Sequence, residues 1–118
     1  MRDDREWLLD IEEAIERVER RAGISRAGFD RDELVQTWMV HALQIIGEAA
    51  RKLSPEIQAR YPEVPWSEII GMRTILVHHY FEVDPDAVWE AVTVSVPALK
   101  PQVRHILETD PQLNRPSV

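Results

Sequence analysis

An arginine, two adjacent histidines and a tyrosine lie within one short, otherwise apolar stretch. They are Arg73, His78, His79 and Tyr80, in a chain with only 4 histidines and 2 tyrosines. A guanidinium is permanently cationic and can contact two phosphate oxygens, whereas an imidazole can transfer a proton near neutral pH. A tyrosine hydroxyl can donate a hydrogen bond to phosphate or be modified itself. Phosphoryl chemistry without a metal ion can use this set of side chains.

Helix geometry limits how these side chains can meet. Tyr80 lies seven positions after Arg73 and within about 20° of it around a helix, whereas His78 is about 140° away. A straight helix therefore cannot aim Arg73 and His78 at one point. Either the helix ends or bends near His78, or a second copy of the chain contributes to a shared cleft. The competing structural interpretation pairs Arg73 with a helix carboxylate, makes His79 a buried histidine with its hydrogen bonds satisfied, and makes Tyr80 a core residue.

Two weaker constellations remain. His41, Gln44 and Glu48 fall on one side of a predicted helix and could line a cleft, although a solvated helix face explains them as well. A metal site could be drawn from His78, His79 and Glu82, but adjacent residues rarely face one ion. We expect neither a metal nor a cofactor.

Composition bounds the class of protein. The 118 residues are 44% hydrophobic and 30% charged, as in one ordinary globular domain. The net charge of −7 argues against nonspecific coating of nucleic acid, yet residues 34–73 hold four acidic and four basic side chains and can receive an anion. No cysteine is present, and no apolar run approaches the ~20 residues that cross a bilayer. We therefore expect a cytoplasmic protein without membrane contact.

Apolar spacing predicts helices over about 4–22, 30–53, 55–60 and 66–79, and a helical region from residue 84 that Pro97 must kink or divide. The predicted fold is an all-α bundle of four to five helices, with a loop over 24–30. Gly47 should permit a close helix crossing. The run 92–96 could be a strand, but it has no partner. We expect a domain over 1–108 and a flexible tail over 109–118.

Three runs carry a family resemblance. They are MRDDREWLLDI at the start, IIGEAARKLSPE from Ile45, and PWSEIIGMRTILVHHYFEVD from Pro65. Together they closely resemble the HepT-like branch of the HEPN superfamily, over residues 1 to about 108. The family signature is Arg, four to six residues, His, any residue and Tyr, which falls on Arg73, His78 and Tyr80. The sequence departs from the family at Thr74, where Asn is usual, and at Gln44, where Glu is frequent.

The resemblance implies an all-helical homodimer that acts as a ribonuclease toxin. It implies metal-independent RNA cleavage by Arg73 and His78 in a cleft formed by two copies of the motif. It also implies a partner, an antitoxin of the MNT-type minimal nucleotidyltransferases, that silences the toxin by transferring AMP from ATP to Tyr80. The alternative is a regulatory subunit that holds the nucleotidyltransferase or a nucleotide and cleaves nothing.

Overall fold

Every regular element that the structure describes is a helix. The computed structural model describes residues 2–75 and 84–113, with the backbone alone at residues 74 and 75. Its elements are α1 (Asp4–Glu19), α2 (Arg26–Arg31), α3 (Glu33–Lys52), α4 (Pro55–Arg60), α5 (Trp66–Ile75), α6 (Pro85–Glu90), a π-helical turn (Ala91–Ser95) and α7 (Val96–Thr109). The all-α prediction is confirmed. The predicted continuation of α5 to residue 79 lies outside the described residues.

Side-chain caps set the helix starts. A capping oxygen accepts a hydrogen bond from a free amide of the first turn, which would otherwise be unpaired. Asp3, Ser25, Asp32, Ser54 and Asp84 each cap a helix in this way. Proline follows two of these caps, at the first position of α4 and of α6, where the helix needs no amide.

The segment 24–30 is not the loop that the sequence suggested. Ser25 caps α2 by accepting from the amide of Gly28. Phe29 of α2 is fully buried, and its ring centroid lies 5.3 Å from that of Trp89. Burial of this aromatic side chain stabilises a helix that is too short to form alone.

The core lies between α1 and α3, with α5 and α7 packed against them. The predicted apolar stripes supply most of its side chains, among them Leu8, Ile11, Ile15, Ala42 and Ile46. The apolar spacing that predicts α3 includes Leu34 and Trp38 in its buried face, but the structure leaves Leu34 84% exposed and Trp38 36% exposed. No described element covers the first turn of α3 at Leu34. The indole nitrogen of Trp38 instead donates to the carbonyl of Arg17 at 2.7 Å.

The predicted close crossing at Gly47 is confirmed. A Cβ added to Gly47 would lie 2.9 Å from the backbone nitrogen of Arg73 and 3.3 Å from the carbonyl oxygen of Ile69. A side chain at this position would therefore collide with the backbone of α5. The absence of a side chain brings α5, and Arg73 with it, directly against α3.

Pro97 does divide the last helical region. The amide of Val96 donates to the carbonyl of Ala91, a bond across five residues that belongs to the π-helical turn. Pro97 follows in the first turn of α7, where a residue without an N–H is tolerated. The strand alternative for 92–96 is wrong.

Both end segments of the described chain hold α4. Asp4 accepts hydrogen bonds from the hydroxyl of Ser54 at 2.6 Å and from its amide at 2.8 Å. Asp110 is 1% exposed and accepts from the hydroxyl of Tyr61 at 2.8 Å and from Arg60 at 3.0 Å. Packed chain thus continues beyond the expected boundary at residue 108, with Leu113 against the core. The rest of the expected tail, 114–118, lies outside the described residues.

Over the described ranges, no helix combines the length and apolar character that crossing a bilayer requires.

Candidate functional site

Arg73 lies in the last turn of α5, at the crossing with α3. Its Nη1 donates to Oε2 of Glu48 at 3.2 Å, and its side chain is 41% exposed. The structure thus brings together two of the candidate residues that were singled out separately. The competing structural interpretation also predicts an ion pair between Arg73 and a helix carboxylate. The pair is therefore compatible with both a functional and a structural role of Arg73.

Glu48 is shared with a second arginine. Nη2 of Arg51 donates to Oε1 of Glu48 at 2.7 Å, and Nε of Arg51 donates to Oε2 at 3.3 Å. The hydrogen bond from Arg51 holds the pKa of Glu48 below its ordinary value, and the charge of Arg73 acts in the same direction. The carboxylate is therefore an anion at neutral pH, and guanidinium groups from two helices contact it.

One donor of Arg73 has no partner among the described residues. Its Nε is buried and makes no hydrogen bond there. A guanidinium has five N–H donors in a planar fork, and a buried donor without a partner costs free energy. The contact with Glu48 therefore leaves at least one hydrogen-bond donor of Arg73 unused.

A shallow groove between α1 and α3 adjoins Glu48. Its volume is about 250 Å³, and its lining is mostly apolar: Trp7, Asp10, Gln44, Ile45, Glu48 and Ala49. Gln44 and Glu48 both line this groove. His41 is exposed on the same helix and is not among the described residues of this lining.

The remaining candidates cannot be placed relative to Arg73. His78 and Tyr80 lie outside the described residues, as do His79 and Glu82 of the alternative metal set, and only the backbone of Thr74 is described. The expected geometry between Arg73 and His78 stays a prediction.

Arg51 was missed by the sequence analysis. Its spacing of three residues from Glu48 is a recognised helical ion-pair spacing and could have been noticed. That the pair meets Arg73 follows only from the crossing of α3 and α5, which sequence spacing does not reveal.

The fold and the site together define an all-helical domain whose candidate functional residue, Arg73, lies where two helices cross. A family model described as "Ribonuclease HepT-like" matches residues 11–106. The chain belongs to the ribonuclease HepT-like family.

Three relatives cover most of the chain. A protein of Caldanaerobacter subterraneus subsp. tengcongensis named "Putative RNase" is 40% identical over 93 residues, 79% of this chain and 83% of its own length. "Probable ribonuclease HepT" of Thermococcus cleftensis is 38% identical over 100 residues, 84% and 91% of the two chains. A "Putative RNase" of Methanocaldococcus jannaschii is 36% identical over 103 residues, 86% and 94% of the two chains. No solved structure matches this chain.

Proposed function

We propose that this chain is a metal-independent endoribonuclease, the toxin of a toxin–antitoxin pair, and that it acts in the cytoplasm. Its family and the names of its relatives support ribonuclease activity. The observation that carries the proposal is the placement of Arg73. Its guanidinium is partly exposed, stands on a rigid helix crossing and is only partly satisfied by Glu48.

In the proposed reaction the 2′-hydroxyl of one nucleotide attacks the adjacent phosphate of the RNA. The bond from O2′ to phosphorus forms and the bond from phosphorus to O5′ of the next nucleotide breaks. His78 transfers the proton, so that the proton lost by O2′ is balanced by the proton gained by O5′. Arg73 stabilises the negative charge that develops on the phosphorane oxygens.

The proposed site is completed by a second copy of the chain. On one straight helix Arg73 and His78 would diverge by about 140°, so such a helix could not present both to one phosphate from the same copy. In a symmetric dimer the same surface is used on both copies. Arg73 of one copy and His78 of the other then act on one phosphate.

The proposed regulation acts through Tyr80. An MNT-type nucleotidyltransferase antitoxin transfers AMP to this residue: the tyrosine oxygen bonds to the α-phosphate of ATP, pyrophosphate leaves and the phenol proton is released. The new phosphodiester carries a negative charge, which in this proposal lies beside Arg73. It therefore occupies the position of the substrate phosphate and blocks cleavage.

Two observations favour a second candidate function. Arg73 is already paired with Glu48, and the chain has a net charge of −7, which opposes RNA binding. On this alternative the chain is a regulatory subunit that binds the nucleotidyltransferase and cleaves nothing.

Cleavage of RNA by the purified protein in EDTA tests the proposal. The wild type should cleave, and Arg73→Ala or His78→Ala should reduce the rate by about 10²–10³. Arg73→Lys should also be impaired, because an ammonium group cannot reproduce the forked contact. Arg104→Ala is the matched control, since this exposed arginine of α7 is 3.9 Å from Glu12. Undiminished cleavage by both alanine variants would refute the assignment, and a wild type that binds the nucleotidyltransferase but cleaves no RNA would establish the alternative.

A further inference from the structure

We propose that Arg51 is a second phosphate-binding residue of this site, and that the Glu48 carboxylate occupies the position that one RNA phosphate takes between Arg51 and Arg73. The identity of the ligand as RNA rests on the proposed function. The position of the two arginines around one anion does not.

The contact geometry carries the proposal. Oε2 of Glu48 accepts from Nε of Arg51 at 3.3 Å and from Nη1 of Arg73 at 3.2 Å, while Oε1 accepts from Nη2 of Arg51 at 2.7 Å. Guanidinium groups from α3 and α5 thus converge on the two oxygens of one anion. Guanidinium forks bind carboxylate and phosphate with the same paired geometry. A phosphate with two non-bridging oxygens can therefore make the contacts that Glu48 makes.

The site is open to a chain from solvent. The side chains of Arg51 and Arg73 are each 41% exposed. Glu48 is also partly exposed, so its carboxylate can turn into water when it is displaced.

The charge distribution places a polyanion here rather than at the start of the chain. The first 33 residues hold 11 acidic and 7 basic side chains, whereas acidic and basic side chains balance over 34–73. Two arginines that converge on one point give this balanced region a local positive site. Phosphate contacts of this kind supply most of the salt-dependent affinity for RNA.

A Glu48 variant distinguishes two roles of this carboxylate, competition with phosphate and positioning of Arg73. If the carboxylate competes with phosphate, its neutralisation in Glu48→Gln should tighten RNA binding. If Glu48 instead positions Arg73 for RNA, the same variant should weaken binding. The two roles predict changes of opposite sign.

Binding of an uncleavable 2′-O-methyl RNA oligonucleotide, followed by fluorescence anisotropy over a range of salt concentrations, tests the proposal. Arg51→Ala should weaken binding about tenfold and reduce the slope of log affinity against log salt by about 0.7, the loss of one phosphate contact on a single strand. Glu48→Gln should tighten binding several-fold. Arg104→Ala is the matched control and should leave affinity and slope unchanged. Thermal melting of each variant checks that it is folded.

The double variant separates direct from indirect action. Arg51→Ala should weaken binding by a similar factor in the Glu48→Gln background, because the contact is with phosphate. An effect that disappears in that background, unchanged binding by Arg51→Ala, or a wild type that does not bind the oligonucleotide would overturn the inference. If the wild type cleaves RNA normally and Arg51→Ala binds RNA as tightly as the wild type does, this inference alone is overturned. Arginine-dependent binding without any cleavage overturns the proposed nuclease activity alone.

Discussion

Gly47 on α3 and Arg73 on α5 are in backbone contact: a Cβ on Gly47 would lie 2.9 Å from the backbone nitrogen of Arg73 and 3.0 Å from its Cβ. The residue proposed to stabilise the reacting phosphate is therefore positioned by a residue with no side chain on another helix. Gly47 is also the neighbour in sequence of Glu48, the ion-pair partner of Arg73. One crossing thus sets the backbone position of Arg73 and brings its guanidinium into contact with Glu48.

Gly47→Ala should destabilise the domain and weaken the site together. Its methyl group would press on backbone atoms that cannot rotate away, and overpacking of this kind costs about 1–3 kcal/mol of unfolding free energy. The shift of α5 away from α3 should displace Arg73 from the proposed site and slow RNA cleavage. Urea denaturation and cleavage assays on the same preparation measure the two effects.

Gly71→Ala is the matched control for this variant. Gly71 lies in α5 two residues before Arg73, and no atom of the described residues stands within 4 Å of the position that its Cβ would take. The substitution should leave the domain equally stable or stabilise it by up to about 1 kcal/mol, through the higher helix propensity of alanine. Equal destabilisation by both variants would contradict the role of the crossing.

Asp110→Asn should lower the free energy of unfolding at neutral pH by about 1–3 kcal/mol, since the buried carboxylate accepts charged and neutral hydrogen bonds. Burial acts to raise the pKa of Asp110, but the hydrogen bonds from Tyr61, the amide of Gln112 and Arg60 outweigh it, so the pKa lies below its ordinary value. This stability is present above the unfolded-state pKa of about 4 and is lost as the pH falls through the lower folded-state pKa. Denaturation at pH 7 and below pH 4 measures it.

The difference between the wild type and Asp110→Asn should therefore shrink in acid. Glu13→Gln is a suitable control, because Glu13 forms an exposed ion pair with Arg17 on α1 and such pairs contribute under about 1 kcal/mol. A difference between wild type and Asp110→Asn that stays constant down to pH 3 would exclude the carboxylate as its source.

Mixing two inactive variants should restore cleavage if the site is shared between copies. Arg73→Ala retains His78, and His78→Ala retains Arg73, so a mixed dimer contains one complete site. We expect each variant alone to be inactive and the mixture, after exchange of subunits, to cleave RNA in part. Scattering should show a dimer at micromolar concentration. A monomer, or a mixture as inactive as its components, would contradict the shared site.

Tyr80 should gain AMP when the chain is incubated with its nucleotidyltransferase and ATP. Intact mass and peptide mapping should locate the added nucleotide on Tyr80, and cleavage should stop because the new phosphodiester blocks Arg73. Tyr80→Phe keeps the ring, loses the acceptor oxygen and should remain unmodified. An active partner that leaves Tyr80 unmodified would rule this regulation out.

The parts of the fold that local chemistry determines could be predicted from the sequence. Ser54 and Asp84, each followed by proline, mark the starts of α4 and α6, and the apolar period of α1 matches its buried face. The exposure of Leu34 could not be predicted, because it depends on which element covers the first turn of α3. The short helix α2 was missed because it is stabilised by the burial of Phe29 against Trp89.

In the candidate site, too, local spacing could be predicted from the sequence and contacts between distant segments could not. The helical spacing of Gln44 and Glu48 predicts that they share one side of α3, and both line one groove. The pairing of Glu48 with Arg73 joins residues 25 positions apart and depends on how closely two helices cross. The relation between Arg73 and His78 remains a prediction, since His78 lies outside the described residues.

The double anchoring of α4 has a consequence for synthesis on the ribosome. Asp4 holds the start of this helix through Ser54, and Asp110 holds its end through Arg60 and Tyr61. Translation delivers the first contact long before the second, because the chain emerges from its N-terminus. Until residue 110 leaves the exit tunnel, α4 is anchored at one end only. We therefore expect the nascent chain to complete this part of its fold late, when nearly all of the domain has been made.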